Sequence, residues 1–157
     1  MSDEEKAYIA GFLDGDGSIY LSLKPRKTVL YGFRPKTVIC FYQDSDNENG
    51  LQWIQYKLGT GYFSRRNDGM TELRYEGYAK VKSILTQLLP YLIFKHERVK
   101  LMLQATEILE HNPSTEEFLR MCEISDKISH SNYRTTKKKH NAFSVRQELI
   151  RKGLLSP

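Results

Sequence analysis

The sequence predicts an α+β domain whose elements run α-β-β-α-β-β-α, with further helices after them. Three observations carry this reading: two pairs of alternating apolar runs separated by turn residues, helical segments opened by capping boxes, and a composition that suits one packed core. The chain has 157 residues, of which 39% are hydrophobic and 11% aromatic. That is enough for one domain with a sizeable core and argues against disorder. Residues 1–157 therefore read as a single domain. Its four strands form an antiparallel sheet with helices on one face.

Ser2 and Glu5 have the spacing of a capping box, which places a first helix from about Asp3 to about Leu13. "GSIYLSLK" then alternates, with Ile19, Leu21 and Leu23 on one face and Tyr20, Ser22 and Lys24 on the other. "KTVICFYQ" repeats the pattern, with Ile39 and Phe41 inward and Val38, Cys40 and Tyr42 outward. Pro25, Gly32 and Pro35 mark the loop between the two strands. A second helix spans about Glu48 to Leu58 and stops at Gly59. "GYFSRR" and "MTELRYEG" flank "NDG", a strong hairpin signal. A helix from about Tyr78 to Leu89 ends at Pro90. "KHERVKLMLQATEILEH" is amphipathic, "STEEFLRMCEISDKIS" follows with Ser114 and Glu117 as another capping box, and a last helix includes Ser144 to Lys152.

Two cysteines, Cys40 and Cys122, are too few and too far apart for a disulfide framework or a Cys-rich zinc site. The acidic start "MSDEEKAY" resembles neither a secretory signal nor an Arg-rich transit peptide, and no apolar stretch is long enough to span a membrane. The expectation is a soluble intracellular protein. The net charge of +5 is unevenly spread. No acidic residue falls between Asp16 and Asp44, where Lys24, Arg26, Lys27, Arg34 and Lys36 all lie. A second basic cluster runs from Arg134 to Lys152, opposed only by Glu148. Such segments suit a polyanionic partner.

The acids and glycines of "YIAGFLDGDGSIY" then need a purpose. A calcium loop would need Gly at its sixth position and Glu at its twelfth, where this chain has Ile19 and Pro25. A haloacid-dehalogenase-type phosphatase would share "FLDGDGSI", but it needs a further acidic pair downstream, and the residues after the motif read as a strand. Ala7, Ala10, Gly11 and Asp14 lie at helical spacing and form a stripe of small residues. Such a stripe lets two helix backbones approach closely, while Tyr8, Ile9, Phe12 and Leu13 fill their own subunit's core. Two such helices about a two-fold axis would bring two Asp16 carboxylates together, a costly arrangement unless a cation such as magnesium lies between them.

"IAGFLDGDGS" resembles the motif that names the LAGLIDADG homing endonucleases, with Ile9 in place of the leading leucine. The α-β-β-α-β-β-α order resembles that family's fold as well, and the single motif resembles its homodimeric members. The resemblance implies a metal-dependent endonuclease that hydrolyses both strands of double-stranded DNA at a long pseudo-palindromic site. It implies Mg2+ as cofactor, with Mn2+ able to substitute and Ca2+ bound without supporting cleavage. It makes Asp16 the metal-binding catalytic acid, assisted by the Gly15 carbonyl. Gln43 and Lys95 fall where the family places a glutamine that orients the water network and a lysine near the attacking water. Asp14 would support the turn and the dimer interface, with Ala7, Ala10 and Gly11.

The sheet face left open would carry Tyr20, Ser22, Lys24, Arg26, Arg34, Lys36, Cys40, Tyr42, Ser64, Arg66, Glu72 and Arg74, a mixture suited to reading base edges in the major groove. Lys137, Lys138 and Lys139 would grip the phosphate backbone. Strands of ~8 residues imply a site of about 20 base pairs for two subunits. If about five cations per subunit neutralise phosphates, log affinity falls with log salt at a slope of about −9. The gene would lie within an organellar or prokaryotic intron. An intron RNA maturase, or a non-cleaving nucleic-acid-binding protein of the same fold, remains the alternative reading of the basic sheet.

Overall fold

The structure is a computed structural model that describes residues 1–131 and 140–157. Helix α1 (Asp3–Asp16) opens with the expected box: the Glu5 N–H donates to Ser2 Oγ at 3.3 Å, and the Ser2 N–H donates to Glu5 Oε2 at 3.0 Å. The helix runs three residues past the expected end at Leu13, through Asp14 and Asp16. It closes where the Gly17 N–H donates to the Leu13 carbonyl. A Cβ at Gly17 would lie 2.5 Å from Leu13 Cδ1 and 2.7 Å from the Leu13 carbonyl oxygen. Only glycine lets the chain pass from helix to strand with no linker.

Strands β1 (Gly17–Pro25) and β2 (Phe33–Asp44) pair antiparallel, with Gly17 opposite Phe41 and Lys24 opposite Arg34. A 3-10 turn at Ser45–Asn47 leads to α2 (Glu48–Leu58), which stops at Gly59 as expected. The hairpin of β3 (Tyr62–Arg65) and β4 (Met70–Glu76) follows, and β4 returns to pair with β2. The sheet order is therefore β1-β2-β4-β3, with the twelve-residue β2 inside it. Helix α3 (Tyr78–Leu88) ends in a 3-10 turn at Leu89–Tyr91 that admits Pro90. Helices α4 (His96–Glu110), α5 (Thr115–His130) and α6 (Ala142–Arg151) complete the described chain. Ser114 and Glu117 form the second predicted capping box.

The core lies between the helices and one sheet face. Ile19, Leu21, Ile39, Phe41, Leu73 and Tyr75 point into it from the sheet, and Ile9, Leu13, Leu85 and Met102 meet them from the helices. Each such side chain contributes roughly 1.5–3 kcal/mol when removed from water. Ser125 on α5 donates to the Leu21 carbonyl at 2.8 Å, which fixes that helix across β1. Tyr8 departs from the expectation of a core side chain. It is 63% exposed and meets Trp53 edge-on at 5.6 Å, because its position on α1 faces α2 and solvent rather than the sheet.

Candidate active site and nucleic-acid interface

Asp16 stands exposed at the last position of α1. The last carbonyls of a helix lack an intrahelical donor, which leaves the Gly15 oxygen available there. The Asp14 carbonyl is taken by the Lys95 ammonium. Asp14 itself is 9% exposed. Its carboxylate accepts three consecutive backbone N–H groups, from Ile93 at 2.6 Å, Phe94 at 3.1 Å and Lys95 at 2.9 Å. These bonds strap residues 93–95 against the end of α1 and bring Lys95 beside the acidic turn. Burial pushes the Lys95 ammonium below its ordinary pKa. The Asp14 carboxylate opposes that shift, Arg98 adds to it, and Asp16 opposes it again.

Gln43 lies two residues past Phe41, the partner of Gly17, and so flanks the junction of α1 and β1. Its Oε1 accepts the Asp44 N–H at 2.9 Å, which fixes one end of its amide. The register puts Gln43 opposite Thr71, on the helix side of the sheet. Asp16, Gln43 and Lys95 are thus gathered around one end of α1. Among the described residues, no group of three or more His, Cys, Asp or Glu side chains could hold a metal ion. The oxygen donors of one subunit, Asp16 and the Gly15 carbonyl, suit a hard divalent cation but are too few to enclose it.

The other sheet face carries most of the residues expected on it. Strand register sets Tyr20, Ser22, Lys24, Arg34, Lys36, Tyr42, Ser64, Glu72 and Arg74 on one side. Arg26 lies just past β1 and Arg66 just past β3, both exposed. Cys40 is a correction. It faces this side but is fully buried, as is Val38, because Arg74 lies opposite Cys40 across β4 and the Tyr20 ring lies opposite Val38 across β1. Burial pushes the Cys40 thiol pKa up, and the thiol has no access to a ligand.

The side chains on this face hold one another. Arg74 donates to the Tyr20 hydroxyl, lies 5.9 Å from the Tyr62 ring and is 3.7 Å from Glu72. Arg66 bonds Glu72 at 3.3 Å, and Lys36 pairs with Glu76 at 2.8 Å. Tyr62 donates to Glu76, and Ser18 bonds Tyr42 at 2.8 Å. Burial raises the Tyr42 phenol to about 12. Ser22 Oγ and Arg74 Nε are buried without a hydrogen-bond partner. Ser18, Tyr62 and Glu76 were not among the expected readers, yet the two-residue alternation that selected Tyr20 and Ser64 also passes through Ser18 and Tyr62. Lys24 and Arg34, opposite each other in register, are exposed and carry no ion pair among the described residues. With Arg26, Lys36 and Lys80 they line a cleft of 830 Å³ at the far end of the first hairpin. Lys137, Lys138 and Lys139 lie outside the described residues.

The residues of the expected interface stripe divide in the structure. Ala7 and Gly11 are exposed on α1, but Ala10 is fully buried in its own subunit, and Asp14 is engaged with residues 93–95. The open face instead continues through Gly15. A Cβ added at Gly11 or Gly15 would meet nothing within 4 Å, and neither residue has a positive φ. Nothing inside the subunit requires glycine there, although each costs about 1 kcal/mol of helix stability relative to alanine.

Residues 9–103 match the family model described as LAGLIDADG endonuclease. The chain is 31% identical over 122 residues to DNA endonuclease I-CvuI of Chlorella vulgaris, covering 78% of this chain and 76% of that protein. It is 32% identical over 137 residues to DNA endonuclease I-CreI of Chlamydomonas reinhardtii, covering 83% and 80% respectively. The fold superposes on a crystal structure of I-CvuI in complex with the I-CreI target in the presence of magnesium, with a TM-score of 0.89, 29% identity, and 96% and 95% of the two chains covered.

Proposed function

The chain belongs to the LAGLIDADG endonuclease family, and from that premise we propose that it is a site-specific homing endonuclease that cuts double-stranded DNA as a homodimer. The observation that carries this reading is the exposed Asp16 carboxylate at the end of α1, a helix whose outer glycines no neighbour in the subunit requires. A second copy of α1 packed on Ala7, Gly11 and Gly15 gives those glycines their reason, since only small residues let two helix backbones approach closely. Parallel packing about a two-fold axis puts both Asp16 carboxylates at the same end, where both sheets can face one duplex. The site is then pseudo-palindromic and about 20 base pairs long.

Two Asp16 carboxylates, with the Gly15 carbonyls, supply the oxygen donors that one subunit lacks and would hold a divalent cation. I-CvuI was crystallised with its own target in the presence of calcium and with the I-CreI target, not cleaved, in the presence of magnesium, which supports a divalent-metal site here. Mg2+ is the proposed working ion, with Mn2+ substituting and Ca2+ permitting binding alone. When bound, the ion neutralises charge on the scissile phosphate and lowers the pKa of attacking water. Lys95, strapped beside Asp16, adds positive charge where phosphate charge develops. Gln43, with one end of its amide fixed, donates toward water at the junction. One Asp16 per subunit gives one cut per strand. The open sheet face lies in the major groove, and Lys24, Arg26 and Arg34 meet phosphates. Lys137, Lys138 and Lys139 are proposed to do the same. The gene is proposed to reside in an organellar or prokaryotic intron.

The test is cleavage selection from a randomised duplex library with magnesium and then calcium. Staggered cuts with a pseudo-palindromic consensus, in magnesium only, are expected. Molecules bound but never cut would replace the nuclease with a nucleic-acid-binding role.

A further inference from the structure

Ile93 and Phe94 are 79% and 86% exposed, although both backbone N–H groups are fixed on the buried Asp14. Two large apolar side chains are thus held in place with nothing over them. On the opposite flank of α1, a cavity of 510 Å³ opens between α1 and α2, lined by Tyr8, Phe12, Gly50, Trp53 and Ile54 with Gln43 at one end. Its walls are mostly apolar, although Glu4 and Glu5 also line it. Gly50 sits inside α2, where a Cβ would meet nothing within 4 Å, so nothing in its own subunit requires glycine there either.

The order of faces around α1 decides what meets this cavity. Asp14 and Ala10 point toward the strap, Ala7, Gly11 and Gly15 point outward, and Tyr8 and Phe12 point toward α2. The strap and the cavity therefore flank the outer face on opposite sides. A two-fold axis along α1, which is the axis that brings both Asp16 carboxylates together, exchanges those sides. Each strap then faces the partner's cavity. An axis across α1 would set strap against strap and would send the two Asp16 residues to opposite ends.

We infer that Phe94, with Ile93 beside it, docks into the partner subunit's cavity between α1 and α2, and that Gly50 keeps that cavity open. This rests on the homodimer proposed above. The contact occurs twice in the dimer. Phe94 immediately precedes Lys95, so each subunit's strap lysine is seated by its partner. The fit is an aromatic knob in an aromatic-walled groove, the kind of anchor that dominates interface energetics.

Trp53 is the one tryptophan of the chain and lines the cavity, so its fluorescence reports docking directly. On dilution of the wild type, Trp53 emission should shift red as dimers separate, in step with sedimentation. Phe94→Ala should weaken dimerisation by about tenfold or more and abolish most of the emission change. Gly50→Leu fills the cavity from within and should weaken dimerisation comparably, while its monomer melts no lower than wild type because the added side chain meets open space. Phe94→Ala combined with Gly50→Leu should dimerise better than Gly50→Leu alone, since the smaller knob suits the filled groove. Unchanged dimerisation in Gly50→Leu, or Trp53 emission that ignores dissociation, would overturn the docking while leaving the endonuclease reading intact. A wild type that is monomeric both free and on DNA would instead overturn the dimer itself.

Discussion

Asp14 and Lys95 hold each other at two points: the Lys95 N–H donates to the Asp14 carboxylate at 2.9 Å, and the Lys95 ammonium donates to the Asp14 carbonyl. One aspartate thereby fixes both the backbone and the side chain of a lysine distant in sequence, at the end of the helix that carries Asp16. Asp14→Ala leaves three backbone N–H groups without their acceptor. Urea denaturation should show a loss of about 2–4 kcal/mol, the scale expected for charged hydrogen bonds removed from a buried site. A loss within error of zero would show that residues 93–95 find other partners.

Asp16 is exposed and has no comparable structural duty. Asp16→Asn should melt like wild type and bind target DNA, but cleave slower by about three orders of magnitude. Gel-shift and cleavage assays on one selected duplex separate the two effects. Full activity would remove Asp16 from the chemistry.

Lys95 titrates below its ordinary value of 10.5 because burial disfavours the ammonium. The folded state therefore releases this proton at lower pH than the unfolded state does. Its charge costs stability below the folded pKa, and that cost fades as pH rises from the folded value to 10.5. Lys95→Met should then be relatively more stable at neutral pH, with the difference shrinking toward strongly alkaline pH, and should cleave poorly throughout. Thermal melts of the two proteins across that range check the sign. A stability difference that grows with pH would contradict it.

Arg74 is held by Tyr20 and stands beside Tyr62 and Glu72, with its Nε buried and unpartnered. It lies on the open sheet face, where an arginine that turns toward DNA can read guanine. Arg74→Ala should relax preference at one position in each half-site, by about 1–3 kcal/mol, with the remaining consensus unchanged. Library selection with both proteins measures this position by position. A uniform weakening would make Arg74 a phosphate contact.

Affinity for the selected duplex, measured in calcium across a salt series, should fall with a log–log slope of about −9. A slope shallower than about −4 would mean that fewer than half of the expected cations reach phosphates.

The sequence displays those parts of the molecule that depend on near neighbours. Ser2 with Glu5, Ser114 with Glu117, and the alternation through Ile19, Leu21 and Leu23 each specify a helix start or a strand face within a few residues, and each is found in the structure. Long-range geometry is not so displayed. The small residues of α1 look alike in sequence, but Ala10 packs inward and Gly15 outward, and only the direction of the sheet beneath the helix distinguishes them. The three partners of Asp14 lie 79, 80 and 81 residues away, beyond any local pattern. Cys40 alternates correctly yet is covered, because its burial depends on what stands on the neighbouring strands.

Each chain has one α1 and one four-stranded sheet, so a dimer reads its target with duplicated side chains. If Arg74 reads a base, as proposed, a codon change there alters both half-sites at once. A target of about 20 base pairs is thus specified with the information content of about ten. The economy has a cost in adaptability: when a host allele drifts in one half-site alone, no single substitution in this protein can follow it.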